Sequence, residues 1–126
     1  MKKEITVLYV DDEEINLFLF DRCFRDFYTI VTAKSGEEGL VKLEAHSEDI
    51  IVVISDMRMP GIDGLEFIRR AKVKFENIAY YILTAFVIND DISKAVEEKS
   101  IDKFFTKPFD VDIIKTEVDF VAGKMV

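Results

Sequence analysis

Ile50-Ile51-Val52-Val53-Ile54-Ser55-Asp56 is a β-branched run with no polar alternation, closed by an aspartate. A strand that is apolar on both faces must be covered on both, as strands of parallel sheets flanked by helices are. Working outward, Ile5-Thr6-Val7-Leu8-Tyr9-Val10 has the same character and ends on Asp11 and Asp12, and the run closing in Ile82-Leu83 ends on Thr84. Strands are read near 5–10, 28–33, 50–55, 79–84 and 101–105, separated by segments of helical period near 13–25, 36–46, 64–74, 89–99 and 110–122. This (βα)5 alternation implies an α/β fold: parallel strands, right-handed crossovers and helices on both faces of one sheet. The first, third and fourth strands should be central.

Local signals mark the helix starts. Ser35, with Glu38 three residues on, suggests a capping box; Asn89 opens a segment with Asp90 and Asp91 in its first turn, and Asp110 is placed to cap the last helix. Gly61 and Gly64 punctuate the loop after the third strand, and Pro60 and Pro108 follow strand ends.

The 126 residues suffice for one domain, read over 1–126, with no repeat, linker or output region. A formal net charge of -8 argues against contact with phosphate backbones, so no direct nucleic-acid partner is expected. Cys23 is the only cysteine, which excludes an internal disulfide; it is read as a small buried hydrophobe in a reducing, cytoplasmic protein. The longest apolar stretch, Ile78 to Ile88, is too short to cross a bilayer. His46, the only histidine, is placed on the surface near the end of the second helix.

The carboxyl ends of parallel strands share one edge of the sheet, and ligands bind outside that edge. Asp11, Asp12, Asp56, Thr84 and Lys107 should therefore converge. Three carboxylates at close range repel one another unless a cation is present, and magnesium favours a few carboxylates, waters and phosphate oxygens. An Asp-Asp pair after a strand can merely solvate a loop, but that does not explain a third aspartate ending another central strand. An ionised aspartate can be a nucleophile, and phosphoryl transfer to it gives an acyl phosphate. Asp56 is the candidate, Lys107 the fixed positive charge, and Thr84 a hydroxyl donor to a phosphoryl oxygen.

On these residues the chain resembles the receiver domains of two-component response regulators, from Ile5 to about Val121. The resemblance rests on Asp11-Asp12, on Asp56 followed by Met57-Arg58-Met59-Pro60-Gly61 and Asp63-Gly64, on Leu83-Thr84-Ala85, and on Phe104-Phe105-Thr106-Lys107-Pro108-Phe109. It implies a flavodoxin-like doubly wound parallel sheet of strand order 2-1-3-4-5, an order that the general rule for such folds itself illustrates with a receiver protein. It further implies phosphorylation of Asp56 by a sensor histidine kinase or histidine phosphotransfer protein. Direct Mg2+ ligands would be Asp12, Asp56 and the backbone carbonyl of Arg58, with Asp11 acting through a water. Lys107 would contact the phosphoryl group, and the Lys107-Pro108 bond would be cis.

Signalling would run through Thr84 moving toward the phosphoryl group and Phe104 turning into the space left, altering the surface of the fourth helix, fifth strand and fifth helix. Relatives often carry Tyr where this chain has Phe104, so any switch here works by packing alone. Arg58 and Phe86 are bulky residues that would shield or obstruct the phosphoryl site and alter acyl-phosphate lifetime, and Glu14 stands where many relatives have proline.

The first helix is more apolar than a core helix needs: Ile15, Leu17, Phe18, Leu19, Phe20, Cys23 and Phe24 overfill one stripe. The excess is either a surface for the phosphodonor or deeper burial against the sheet and last helix. Ile92, Val96, Phe105, Val111, Ile114, Val118 and Val121 are candidates for a dimer face, and the protein is read as a monomer or weak homodimer with an unknown downstream protein target. Three functions compete: the phosphorylated receiver leads, ahead of an unphosphorylated receiver-like scaffold and an aspartyl-phosphate phosphohydrolase. The hydrolase is disfavoured because Arg58 stands where such enzymes carry an acid-base carboxylate. No enzyme activity is expected beyond self-catalysed phosphorylation and dephosphorylation. The Asp-Asp-Glu-Glu loop over 11–14 likewise disfavours a dinucleotide site, which needs a glycine-rich turn.

Overall fold

A computed structural model describes residues 5–85, 90–99 and 101–124. In chain order the elements are β1 (Thr6–Val10), α1 (Glu14–Phe24), β2 (Thr29–Ala33), α2 (Gly36–His46), β3 (Ile50–Asp56), α3 (Gly64–Lys74), β4 (Ala79–Thr84), α4 (Asp90–Glu97), β5 (Lys103–Thr106) and α5 (Val111–Lys124). The five strands form one parallel sheet in the order β2-β1-β3-β4-β5, the doubly wound flavodoxin-like arrangement expected. The strands without polar alternation, β1, β3 and β4, occupy its centre.

Each sheet face has its own core. On one side Leu8, Val10, Val53 and Ile82 pack with Leu43 of α2, Phe67, Ile68 and Ala71 of α3, and Ala95 of α4. On the other, Val7, Tyr9, Val52, Ile54, Tyr81 and Leu83 pack with Leu17, Phe20 and Phe24 of α1 and Ile114, Val118 and Val121 of α5. The period-2 alternation of side chains splits each strand between the two cores.

The fifth strand starts at Lys103 rather than Ile101. Asp102 donates its backbone N–H to the Tyr80 carbonyl at 2.7 Å, and its side chain accepts from the Tyr80 N–H at 2.8 Å. The carboxylate replaces a strand carbonyl there, so the regular ladder begins one residue later, at Tyr81 and Lys103.

Helix starts follow the sequence signals with one variation. The Ser35 hydroxyl accepts from the Glu38 N–H at 3.0 Å, while the Glu38 carboxylate reaches back to the N–H of Lys34 at 2.7 Å rather than to that of Ser35. Asp110 accepts from the Ile113 N–H at 3.1 Å, as expected of a cap, and Asp63 caps α3 by accepting from the Glu66 N–H at 2.8 Å. Asn89 lies outside the described residues.

Cys23 corrects the sequence reading: it is exposed. The sheet-facing stripe of α1 is Leu17, Phe20 and Phe24, and helical geometry turns the neighbours of that stripe outward. Ile15 and Phe18 are more than half exposed, at 61% and 52%, and Leu19 is also exposed, so the excess apolar surface of α1 faces solvent. The candidate dimer-face residues differ in the opposite sense. Phe105, Ile114, Val118 and Val121 are buried, and Val96 and Val111 pack against the cores. The exposed apolar residues of α5 are instead Ile113 and Phe120. The side chain of Ile92 lies outside the described residues. His46 is exposed, as expected.

Two glycines shape the loop between β3 and α3. Gly61 has φ +82°, a left-handed conformation that other residues resist. Gly64 sits so close to β3 that a Cβ there would lie 2.3 Å from the Asp56 carbonyl oxygen and 3.1 Å from the Met57 Cα. Neither is a flexible side-chain end, so the backbone itself would have to shift. Gly64→Ala is expected to destabilise the fold by about 3 kcal/mol, read as a lower urea midpoint with an unchanged slope.

Candidate functional site

Three strand ends deliver the acidic residues to one edge. Asp11 and Asp12 follow β1, Asp56 is the last residue of β3, and oxygens from all three lie within 4.8 Å of one another. Asp11 and Asp56 are buried and Asp12 is exposed, so the cluster opens to solvent on one side. Lys107, just beyond β5, reaches over the edge: its Nζ lies 3.1 Å from Asp11 Oδ2 and 3.4 Å from Asp56 Oδ1. Thr84 ends β4, is fully buried, and accepts the Lys107 backbone N–H on its carbonyl at 2.8 Å. Its register partner is Thr106, one residue before Lys107. The Lys107-Pro108 bond is cis.

The carboxylate of Asp56 is held by converging donors. The Met57 N–H donates to Oδ1 at 2.9 Å, on the oxygen nearest Lys107. No described residue donates to Oδ2. Its backbone carbonyl accepts the Ser55 hydroxyl at 2.8 Å and abuts Gly64, whose N–H donates to the Met57 carbonyl at 2.8 Å. Burial, and then the charge of Asp11, push the Asp56 carboxyl up to about 6, against the opposing pull of Lys107 and the Met57 N–H. For Lys107, burial acts to lower the pKa, but Asp11 and Asp56 outweigh it and hold the ammonium above its ordinary value. The lysine remains a fixed cation.

Asp11 is held more tightly than the sequence suggested. Its Oδ1 accepts the Glu13 N–H at 3.0 Å, and its Oδ2 accepts both the Lys107 ammonium and, at 2.7 Å, the Tyr9 hydroxyl. Tyr9 was not among the residues singled out for function. The available signal was a phenol in a strand covered on both faces, two positions before an aspartate and thus on the same side of the strand.

Other expected residues take supporting places. Phe104 pairs with Ile82 on β4 and is half-buried against the core beneath α2, α3 and α4. Arg58 lies two residues beyond Asp56 with its side chain exposed, between the buried Met57 and Met59. Phe86 lies outside the described residues.

The donor set fits a hard divalent ion. It consists of carboxylate oxygens, without sulfur or imidazole, and it has an open side for waters and substrate oxygens, which suits magnesium rather than a softer metal. Lys107 supplies one positive charge among three carboxylates, leaving a local excess of negative charge for a cation to offset.

Residues 7–119 match the family model of the response regulator receiver domain. Among curated proteins, the chain is 34% identical over 113 residues to sporulation initiation phosphotransferase F of Bacillus subtilis, covering 89% of each protein. It is 28% identical over 107 residues to the hydrogenase transcriptional regulatory protein HoxA of Cupriavidus necator, but spans only 22% of that protein's length. Among solved structures, a chain of the CheX-CheY-BeF3-Mg2+ complex from Borrelia burgdorferi superposes with a TM-score of 0.83 at 26% identity, covering 93% of this chain and 88% of that one. Motifs, sheet order and matches agree that the chain belongs to the response regulator receiver domain family of two-component systems.

Proposed function

We propose that this receiver takes a phosphoryl group from the phosphohistidine of a sensor kinase or histidine phosphotransfer protein onto Asp56. The observation that carries the reading is the buried Asp56 carboxylate, with Lys107 at 3.4 Å on one oxygen and the oxygens of Asp11 and Asp12 within 4.8 Å. Oδ2 attacks phosphorus, the P–N bond of the donor breaks, and its electron pair returns to the imidazole, which then takes a proton. Asp12, Asp56 and the Arg58 backbone carbonyl would hold Mg2+ directly and Asp11 through a water; the ion would offset charge on the phosphoryl oxygens. Lys107 contacts the phosphoryl oxygens from the opposite side, and the Thr84 hydroxyl donates to another.

The signal leaves by packing. Thr84 is buried at the end of β4, and Phe104 sits half-buried two register pairs below, on β5. Movement of Thr84 toward the phosphoryl group opens space that the Phe104 ring fills, changing the α4-β5-α5 surface seen by a protein target. Arg58 speaks against the phosphohydrolase reading, since its exposed guanidinium occupies the position where an acid-base carboxylate is needed. No helix among the described residues is long and apolar enough to cross a membrane, which accords with a receiver working in the cytoplasm.

Intact-protein mass spectrometry after incubation with acetyl phosphate and Mg2+, or with a phosphorylated donor, should show one added phosphoryl group mapping to Asp56. A scaffold that works without phosphorylation would show none. A second result concerns pH. With the Asp56 carboxyl at about 6, a proton competes with the metal there, so calorimetric Mg2+ affinity should be near its plateau above pH 7 and fall by up to about tenfold per unit below 6. An affinity flat from pH 7 to pH 5 would show that Asp56 is not a ligand.

A further inference from the structure

Tyr9 joins the site through a bond that the phosphoryl chemistry does not require. Its ring stacks on Phe20 of α1, with centroids 4.1 Å apart and planes within 9°, and the residue is fully buried. Burial and the neighbouring Asp11 push the phenol far up, so it stays protonated and acts as a donor. Its acceptor, Asp11 Oδ2, is the same oxygen that Lys107 holds at 3.1 Å.

Two donors on one oxygen matter because one of them has work elsewhere. If Lys107 turns to a phosphoryl group on Asp56, its contact with Asp11 loosens. Asp11 is fully buried, and a buried carboxylate oxygen left without a donor is costly. The Tyr9 hydroxyl, carried by the fully buried strand β1 between β2 and β3, lies 2.7 Å from Asp11 Oδ2 and does not depend on where the lysine points.

We propose that Tyr9 is a positioning residue: its hydroxyl keeps Asp11 hydrogen-bonded when Lys107 moves, lowering the cost of transferring the lysine from Asp11 to the phosphoryl group. This rests on the receiver reading of the site and adds a residue to it. Without the hydroxyl, Lys107 becomes the sole donor to Oδ2, which binds it more firmly to Asp11 and holds it back from its other role.

The test is a double-mutant cycle of Tyr9→Phe and Lys107→Ala, with circular dichroism confirming that each variant is folded. Beryllofluoride binding at saturating Mg2+ is followed by the fluorine resonance of the bound species. Tyr9→Phe keeps the ring stack and should weaken binding about tenfold in the wild-type background, the scale of one hydrogen bond to a charged group. In the Lys107→Ala background it should change binding by less than about twofold, since no lysine is left to release. Equal losses in both backgrounds would mean that Tyr9 merely stiffens β1, and an unchanged affinity in the wild-type background would also overturn the proposal. Wild-type protein that fails to bind beryllofluoride would instead overturn the receiver reading. A second readout needs no ligand: the Tyr9 hydroxyl proton, assigned by its loss in Tyr9→Phe, should remain in slow exchange in metal-free Lys107→Ala protein. Its disappearance there would show that the phenol does not hold Asp11 alone.

Discussion

Asp56→Asn should abolish phosphoryl uptake from acetyl phosphate and from a phosphohistidine donor, and should also make the metal-free protein more stable. The amide keeps an oxygen to accept the Met57 N–H but is not a nucleophile. The stability gain follows from linkage. Burial and Asp11 raise the Asp56 carboxyl from 3.8 to about 6 in the folded protein, so between those values the native state binds more protons than the unfolded one. Stability supplied by that proton is present below about pH 4 and is lost as pH rises through about 6. At pH 7 the ionised carboxylate is a burden of roughly 2–3 kcal/mol. Removing it should raise the thermal midpoint by several degrees in chelator, an advantage that disappears in wild-type protein on lowering the pH to about 4. Mg2+ should narrow the difference by binding the wild-type site. A variant that still accepts phosphate would place the acceptor elsewhere, and one that is less stable at pH 7 would contradict the electrostatic account.

Lys107→Ala should have the opposite effect on stability and a severe effect on function. The ammonium is the cation at 3.1 Å from one buried carboxylate and 3.4 Å from another. Removing one partner of a buried pair leaves uncompensated charge, which typically costs about 3–5 kcal/mol. The lower end applies here because Tyr9 and the Glu13 N–H still hold Asp11. The thermal midpoint in chelator should fall by about 10 °C, and Mg2+ should recover a larger part of that loss than it adds to the wild type. Phosphoryl uptake should fall by about a hundredfold or more, as for other fixed charges aimed at developing negative charge. Destabilisation that Mg2+ does not relieve would mean that the lysine acts by packing its stem rather than by its charge.

The exposed face of α1 shows how far a pattern can be read. An excess of apolar residues was visible in the chain, but its direction was not. Packing resolved it: Leu17, Phe20 and Phe24 contact the sheet, leaving Ile15, Phe18, Leu19 and Cys23 in solvent. The last helix shows the converse, since the residues that were candidates for a dimer face are those that β3, β4 and β5 need for cover. Burial depends on which neighbours arrive, and a helical repeat alone does not name them.

The sequence by itself determined the alternation of strands and helices, the central place of β1, β3 and β4, and the gathering of Asp11, Asp12, Asp56, Thr84 and Lys107 at one edge. Those features are local: runs of apolar residues fix the element type, and parallel connection fixes which strand ends meet. Tertiary structure alone decided how the charges are shared within that edge, with Lys107 bridging Asp11 and Asp56 and a core tyrosine bonded to Asp11. A hydrogen bond depends on tenths of an ångström and on the angle at which side chains from different strands approach, and one-dimensional spacing carries neither.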